Sequence, residues 1–395
     1  MFMFFRRKLL ARLERELETE EMVVITGMRQ VGKTTILKYL FDKVMSKNKA
    51  TLDLGNPLNR KVFEEENYDN IWRNLRQFGV ENDKKAYLFL DEVQNLPEIS
   101  RVAKYLFDHY RVKLFLTGSS SFYLKNLFPE SMAGRKLIFE LFPLTFEEFL
   151  IFKGVERKVS SGFGDKAKNK NRVAYGLYVK YYDEFLEFGG FPKVVLESNL
   201  DRKKGLLGEV FKSYFEQDVK SLADFENLSK VRDLILLLTS RVGSKVGITK
   251  LASELGVARE TVYGYLAFLE QTYFISLLPK FSKSVDRQAA GEKKLYFCDV
   301  GLSNFLGRLS WGQILENGVF QCLRTDTGLT YYEKWGSFEV DFITNSKVGL
   351  EVKKSPSRRD LSNLKKRSKL LGLAEFYAVS YDFLQDKEVI LGMDL

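Results

Sequence analysis

Two cysteines and one histidine in 395 residues remove several chemistries at the outset. Cys298 and Cys322 fit neither a disulfide framework nor a zinc cluster, so a reducing cytoplasm is the expected compartment. His109, placed before Arg111 at the expected end of a helix, argues against a Ser-His or Cys-His catalytic pair. No stretch approaches the roughly 20 apolar residues of a membrane helix, so no membrane partner is expected. The start, Met1-Phe2-Met3-Phe4-Phe5, is too short for a signal sequence and runs straight into Arg6-Arg7-Lys8. No internal repeat is found.

What the chain does have is apolar content of 45%, enough for two or three domains with real cores. It also has a formal charge of +10, which suits nucleic acid or another polyanion. The cations concentrate in residues 157–172 and 353–369. A solvated, lysine-rich surface is the competing explanation.

The strongest motif is Gly27-Met28-Arg29-Gln30-Val31-Gly32-Lys33-Thr34, which follows the apolar run Met22-Val23-Val24-Ile25. A strand running into GxxxxGKT and then a helix, here expected over 33–44, is the context of a phosphate-cradling P-loop. Gly27 and Gly32 let backbone N–H groups turn inward, and the helix dipole points at the same phosphates. Gly27, Gln30, Val31, Gly32, Lys33, Thr34 and Thr35 are the candidate ATP-binding residues. Lys33 supplies charge to the β- and γ-phosphates, and the Thr34 hydroxyl is placed to ligate Mg²⁺.

A second apolar strand, Tyr87-Leu88-Phe89-Leu90, ends in Asp91-Glu92, the Walker B pattern. Asp91 is assigned to Mg²⁺, directly or through water, and Glu92 to polarising the attacking water. Two adjacent acids argue for water rather than a kinase acceptor. Residues 50–54 and 112–117 read as further strands, with helices to about residue 78 and over 99–110. Strands alternating with helices predict an α/β fold, a P-loop parallel-sheet ATPase core over 1–150. Thr117-Gly118-Ser119-Ser120 sits where a hydroxyl, Ser119 among them, would watch the γ-phosphate; a plain Gly-Ser turn is the alternative.

Residues 151–174, poor in apolar side chains, read as a basic mobile linker. Residues 175–285 read as a helical, winged-helix-like region. Ala252, Gly256 and Val262 are spaced as in a helix-turn-helix, with Arg259, Thr261 and Tyr263 starting the recognition helix. Many such units only pack domains together. Residues 286–395 form a separate C-terminal α/β module. A strand over 337–344 carries Asp341, Asn345-Ser346 turns, and a strand over 348–353 carries Glu351 and Lys353 on one face. Asp, then Glu-x-Lys across a hairpin, is the arrangement of PD-(D/E)xK nucleases, where two carboxylates hold Mg²⁺ or Mn²⁺ and a lysine activates water. Glu316 could add a further acid. A hairpin with solvated charges is the bland alternative.

Over nearly its whole length the chain resembles prokaryotic AAA+-type ATPases that carry a C-terminal nuclease-like domain. Beyond the P-loop and Leu90-Asp91-Glu92-Val93-Gln94, the resemblance rests on Met132-Ala133-Gly134-Arg135 and Phe142-Pro143-Leu144-Thr145-Phe146-Glu147-Glu148-Phe149. It continues through Gly189-Gly190-Phe191-Pro192, Asp299-Val300-Gly301-Leu302, Glu339-Val340-Asp341-Phe342 and Glu351-Val352-Lys353. The resemblance implies that Arg135 is a candidate arginine finger, acting either within its own chain or across a subunit boundary, the second case requiring a homo-oligomer. One departure is Tyr331-Tyr332-Glu333-Lys334-Trp335, where the family would place an arginine after a tryptophan. The expectation is an Mg²⁺-dependent ATPase whose cycle controls a nucleic-acid-binding C-terminal domain, DNA before RNA, with DNA cleavage open. The rival is an ATP-operated switch that acts through protein partners and keeps an inactive nuclease fold.

Overall fold

The computed structural model describes residues 4–119, 134–220, 225, 227–282, 284, 286, 288, 291–325, 328–334 and 338–395. Of the motif residues quoted above, Ser120, Met132, Ala133 and Trp335 lie outside that set. The chain forms two compact units. The first comprises Met1–Phe142, Ser213–Asp224 and Gln271–Tyr273; the second comprises Pro143–Lys212, Phe225–Glu270 and Phe274–Leu395.

The first unit is built on five parallel strands: β1 (Met22–Thr26), β2 (Lys49–Asp53), β3 (Ala86–Asp91), β4 (Val112–Gly118) and β5 (Lys136–Glu140). Their order across the sheet is β2-β3-β4-β1-β5. Every residue of β1, β3 and β4 is buried, which explains why these strands read as unbroken apolar runs rather than alternating ones. Helix Ile99–His109 lays Ile99, Val102, Ala103 and Leu106 on the same core as Leu88, Leu90, Leu114 and Leu116. β1, β3 and β4 end at Thr26, Asp91 and Gly118, so the polar loops that follow them share one edge of the sheet. The leading helix is short, Leu10–Arg15, and buries only Leu10 and Leu13.

The second unit begins with helix Phe146–Phe152, whose Thr145 and Glu148 close a reciprocal capping box. Further on, helices Leu228–Thr239, Ile248–Leu255 and Arg259–Gln271 precede an antiparallel pair, β6 (Ile275–Leu278) and β7 (Lys294–Phe297). The C-terminal sheet holds β8 (Thr330–Lys334), β9 (Phe338–Thr344), β10 (Val348–Lys353), β11 (Glu375–Ser380) and β12 (Val389–Leu391) in the order β12-β11-β10-β9-β8. β8, β9 and β10 pair antiparallel, whereas β10, β11 and β12 run parallel. The β9–β10 turn is tight, with Asn345 and Ser346 both left-handed, at φ 49° and 55°.

The stretch 151–174, expected as a mobile linker, is instead part of the second unit. Helix Phe163–Lys168 and the start of helix Arg172–Phe188 lie within it. Three of its cations are used internally: Arg157 pairs with Asp394, Lys166 donates to the Asp394 carbonyl at 2.6 Å, and Lys170 donates to the Asp386 and Val389 carbonyls. Low apolar content misled because these side chains bury by bonding to backbone oxygens.

Several motifs of the family resemblance meet in one buried polar knot. Asp299 accepts from Leu302 N at 2.9 Å, capping helix Val300–Leu306, and from Gly190 N at 2.6 Å. Gln321 bridges Asp299 and the Leu144 carbonyl, at 3.1 and 2.8 Å. Gly189 sits at φ 75°, and a Cβ there would lie 1.9 Å from Asp299 Oδ1. These residues hold the fold. Replacing Asp299 with alanine strands two buried N–H groups, and denaturant unfolding should register a loss of about 3 kcal/mol. Asp299→Asn, which keeps one acceptor oxygen, should lose less; unchanged stability in Asp299→Ala would contradict this assignment.

Candidate functional site

The P-loop leaves β1 through a backbone that few side chains tolerate. Gly27, Gln30 and Gly32 take φ of 149°, 64° and 102°. A Cβ on Gly27 would come within 2.0 Å of the Leu141 carbonyl oxygen, so only glycine passes there. Arg7 braces the loop from outside, donating to the Val31 carbonyl at 3.0 Å and the Phe142 carbonyl at 2.7 Å. Lys33 opens helix Lys33–Lys43 and donates to the Gly27 and Met28 carbonyls at 2.8 and 2.9 Å. Burial lowers its pKa to about 8, opposed by the carboxylates of Glu92 and Asp218. Thr34 and Thr35 lie exposed on the first helical turn. Left-handed loop, buried lysine and exposed hydroxyls at a helix N-terminus fit a nucleotide phosphate chain and its Mg²⁺.

Asp91, Glu92 and Thr117 form a compact arrangement at the ends of β3 and β4. Thr117 donates its hydroxyl to Asp91 Oδ1, and Glu92 N–H approaches both Asp91 Oδ1 at 3.1 Å and Thr117 Oγ1 at 3.3 Å. Glu92 is left-handed, at φ 54°, a conformation that costs an ordinary residue on the order of 1–3 kcal/mol and clusters at functional sites. Its carboxylate accepts from Gln94 and stands 3.8 Å from the P-loop Arg29. Arg29 in turn pairs with Asp218 at 2.9 Å. Ser119, the candidate γ-phosphate hydroxyl, donates to the other Asp218 oxygen at 3.1 Å.

Arg135 stands elsewhere. It immediately precedes β5, where Lys136 is in register with Met22 at the start of β1, and it pairs with Asp108 at 2.8 Å. The P-loop leaves the opposite end of β1. A whole strand length therefore separates Arg135 from the phosphate loop of its own chain.

In the second unit, Leu350 pairs with Phe342, which brings Asp341 and Glu351 to one face of the β9–β10 hairpin. Asp341 Oδ2 accepts from Val352 N at 2.8 Å. Glu351 turns to Arg367 at 3.0 Å and Lys353 at 3.4 Å. Burial, then Asp341, raises its pKa against those two cations. Glu316 and Asp341 meet instead at Lys294, 3.3 and 3.5 Å from its Nζ. The expected triple of Asp341, Glu351 and Glu316 is thus divided: Lys294 takes Asp341 and Glu316, while Arg367 and Lys353 take Glu351. Among the described residues no group of three or more His, Cys, Asp or Glu side chains is arranged to hold a metal ion.

Sequence reasoning missed Arg7, Arg29, Asp218, Lys294, Glu339 and Arg367. Arg29 lies inside the P-loop motif, where a charge at a variable position was a usable signal. Asp218 offered none, since the segment Phe215–Val219, a π-helical turn, rejoins the first unit from far along the chain.

Asp218 yields a pH test. Burial lifts its pKa from 3.8 to about 6, while Arg29 and Ser119 pull it down. The folded state therefore holds this proton more tightly than the unfolded state. The stability it contributes is complete below 3.8 and is lost as pH rises through 6, a swing of about 3 kcal/mol. Asp218→Asn carries no such proton. Its stability relative to the wild type should rise by roughly 2–3 kcal/mol between about pH 4 and pH 7. A constant difference over that range would contradict the buried, raised acid.

A family model described as an AAA domain (AAA_14) matches residues 19–150, and a domain of unknown function (DUF8612) matches residues 179–313. "Uncharacterized protein MJ1544" of Methanocaldococcus jannaschii is 30% identical over 346 residues, spanning 84% of this chain and 74% of its own. An "Uncharacterized protein" of Haemophilus influenzae is 25% identical over 357 residues, spanning 86% and 84%. Among solved structures, a Walker-type ATPase of Pyrococcus abyssi is 14% identical at a TM-score of 0.49, with 77% of this chain and 96% of that one covered. The chain belongs to the same protein family as MJ1544 and carries an AAA-type P-loop ATPase domain in its first 150 residues.

Proposed function

We propose that this protein is an Mg²⁺-dependent ATP hydrolase whose nucleotide cycle controls a nucleic-acid-binding C-terminal region. The observation that carries the first half is Glu92, held left-handed at the end of β3 and 3.8 Å from the P-loop Arg29. A carboxylate fixed beside the phosphate loop, on water-accessible ground, is suited to orienting a water toward the γ-phosphate. Thr34 and Asp91 are the side chains that would hold Mg²⁺, which when bound supplies positive charge to the phosphate oxygens. Lys33 exchanges its two carbonyl partners for phosphate oxygens and regains the charge partner that burial denies it. Arg29 links Glu92 to Asp218 and so ties water positioning to the π-helical segment. In this reading Arg135 serves the nucleotide of a neighbouring copy, because its own P-loop is a strand length away.

The second half rests on charge and exposure. Lys353, Lys354, Arg358, Arg359, Lys365, Lys366 and Lys369 are all exposed, along the end of β10 and helix Arg358–Leu371. Helix Ile248–Leu255 ends in a left-handed Gly256, and helix Arg259–Gln271 then presents Arg259 and Tyr263 to solvent. Three helices followed by the β6–β7 pair support a winged-helix reading that favours duplex DNA over RNA.

For the ATP site, Lys33→Ala should weaken nucleotide binding. Glu92→Gln should bind ATP normally yet hydrolyse it about a hundredfold or more slowly. Mixing Lys33→Ala with Arg135→Ala chains should restore part of the activity through mixed interfaces. Wild-type turnover in Glu92→Gln would place the base elsewhere.

For the C-terminal region, affinity for duplex DNA should fall by about a thousandfold between roughly 50 and 200 mM salt, if about six phosphates are contacted. Lys365→Ala/Lys366→Ala should lower the slope of log affinity against log salt by about two. Binding that ignores salt would sink the nucleic-acid reading and favour a protein partner.

A further inference from the structure

Lys294, on β7, lies at the focus of three carboxylates, and its side chain is 2% exposed. Its Nζ is 3.3 Å from Glu316 Oε1 and 3.5 Å from Asp341 Oδ1, and it pairs more closely still with Glu339. Glu316 reaches this point from helix Trp311–Leu323. Glu339 and Asp341, two residues apart on β9, reach it from one face of that strand.

Each of the three carboxylates already has at least one oxygen engaged. Tyr296, two residues along β7, donates its hydroxyl to the same Glu316 oxygen at 2.7 Å. Asp341 Oδ1 faces Lys294, and Oδ2 takes the Val352 N–H. Glu351 adds nothing to the focus, since its oxygens go to Arg367 and Lys353. Lys353, the lysine of the Glu-x-Lys pattern, has a side chain 45% exposed and pairs with Glu351, with the Asp341 charge acting on it from farther away.

A hard divalent cation shared by Asp341 and Glu316 needs their oxygens at about 2.0–2.6 Å. The Lys294 ammonium already stands between these two carboxylates, 3.3 Å from Glu316 Oε1 and 3.5 Å from Asp341 Oδ1. Bringing a second cation there would set like charges against each other in a buried place, where water screens them little. Conversely, removing Lys294 would leave three carboxylates crowded and uncompensated, an arrangement that is strongly disfavoured unless another cation arrives.

We propose that the Lys294 ammonium takes the place of a divalent cation in this cluster, leaving the nuclease-like domain a metal-free binder. Resting on the nucleic-acid reading above, the domain then holds DNA without cutting it. Its carboxylates serve to fix β7, β9 and helix Trp311–Leu323 against one another.

The test is an Mn²⁺ titration of the full-length protein without nucleotide, followed by the electron spin resonance signal of free Mn²⁺. Wild type and Asp341→Asn should bind the same amount. Lys294→Met should gain one Mn²⁺ per chain, and Lys294→Met/Asp341→Asn should lose it again. Melting should agree: Mn²⁺ should raise the transition of Lys294→Met and leave that of wild type unmoved. Wild-type Mn²⁺ binding that Asp341→Asn removes would overturn the proposal, as would a folded Lys294→Met that gains no site. If Lys294→Met does not fold, the comparison of wild type with Asp341→Asn still decides. Failure of DNA binding would remove the nucleic-acid reading alone, because the Mn²⁺ result does not depend on it.

Discussion

Thr117 is the pin of the nucleotide site. The strand order places β4 between the P-loop strand and the acidic strand, and the Thr117 side chain at the end of β4 meets the two acids that close β3. Its hydroxyl donates to Asp91 and accepts the Glu92 N–H, which fixes the Asp91 carboxylate and the left-handed turn of Glu92 at once. Without that bond Glu92 has less reason to keep a strained backbone, and its carboxylate loses its aim beside Arg29. The sheet makes this economical: three adjacent parallel strands deliver a phosphate loop, a hydroxyl and two acids to one edge.

Two buried lysines in this chain show how partners decide what burial does to charge. Lys33 is held by two backbone carbonyls, with Glu92 and Asp218 acting on it from farther away, and desolvation wins, so its pKa falls to about 8. A lysine poised in this way gains most when an anion arrives. Lys294 is just as buried, yet the carboxylates of Glu316, Asp341 and Glu339 overcome desolvation and hold its pKa above the ordinary lysine value. Its charge is permanent and satisfied from within. Burial, followed by Asp341, pushes the Glu316 carboxyl up to about 7, with Lys294 and Tyr296 opposing. The first lysine belongs to a site built to receive a ligand; the second closes the cluster around itself.

Legibility followed locality. The parallel core could be read because β1, β3 and β4 are buried on both faces, and the P-loop because glycine spacing carries its own geometry. The β9–β10 hairpin could be read because Asn345-Ser346 is a strong turn signal. β5 escaped notice, a short strand with only Phe139 buried. Asp218 and Lys294 escaped because their partners are far away in sequence: Arg29 and Ser119 for one, Glu316, Glu339 and Asp341 for the other. The basic stretch before residue 174 misled for a related reason. Composition registers how many cations a segment holds, but not whether carbonyls such as those of Asp386, Val389 and Asp394 already take them. The recurrent motifs around Gly189, Asp299 and Leu144 proved to be a structural knot, a reminder that a specific sequence pattern is often a folding constraint.

The proposed function depends on hydrolysis at the first site. Its most direct test is phosphate release from ATP by wild-type protein in excess over nucleotide, so that one turnover is read without interference from product release. Phosphate should be released with Mg²⁺ present and not once the metal is chelated. ATP bound to wild-type protein with Mg²⁺ and left intact over hours would contradict it.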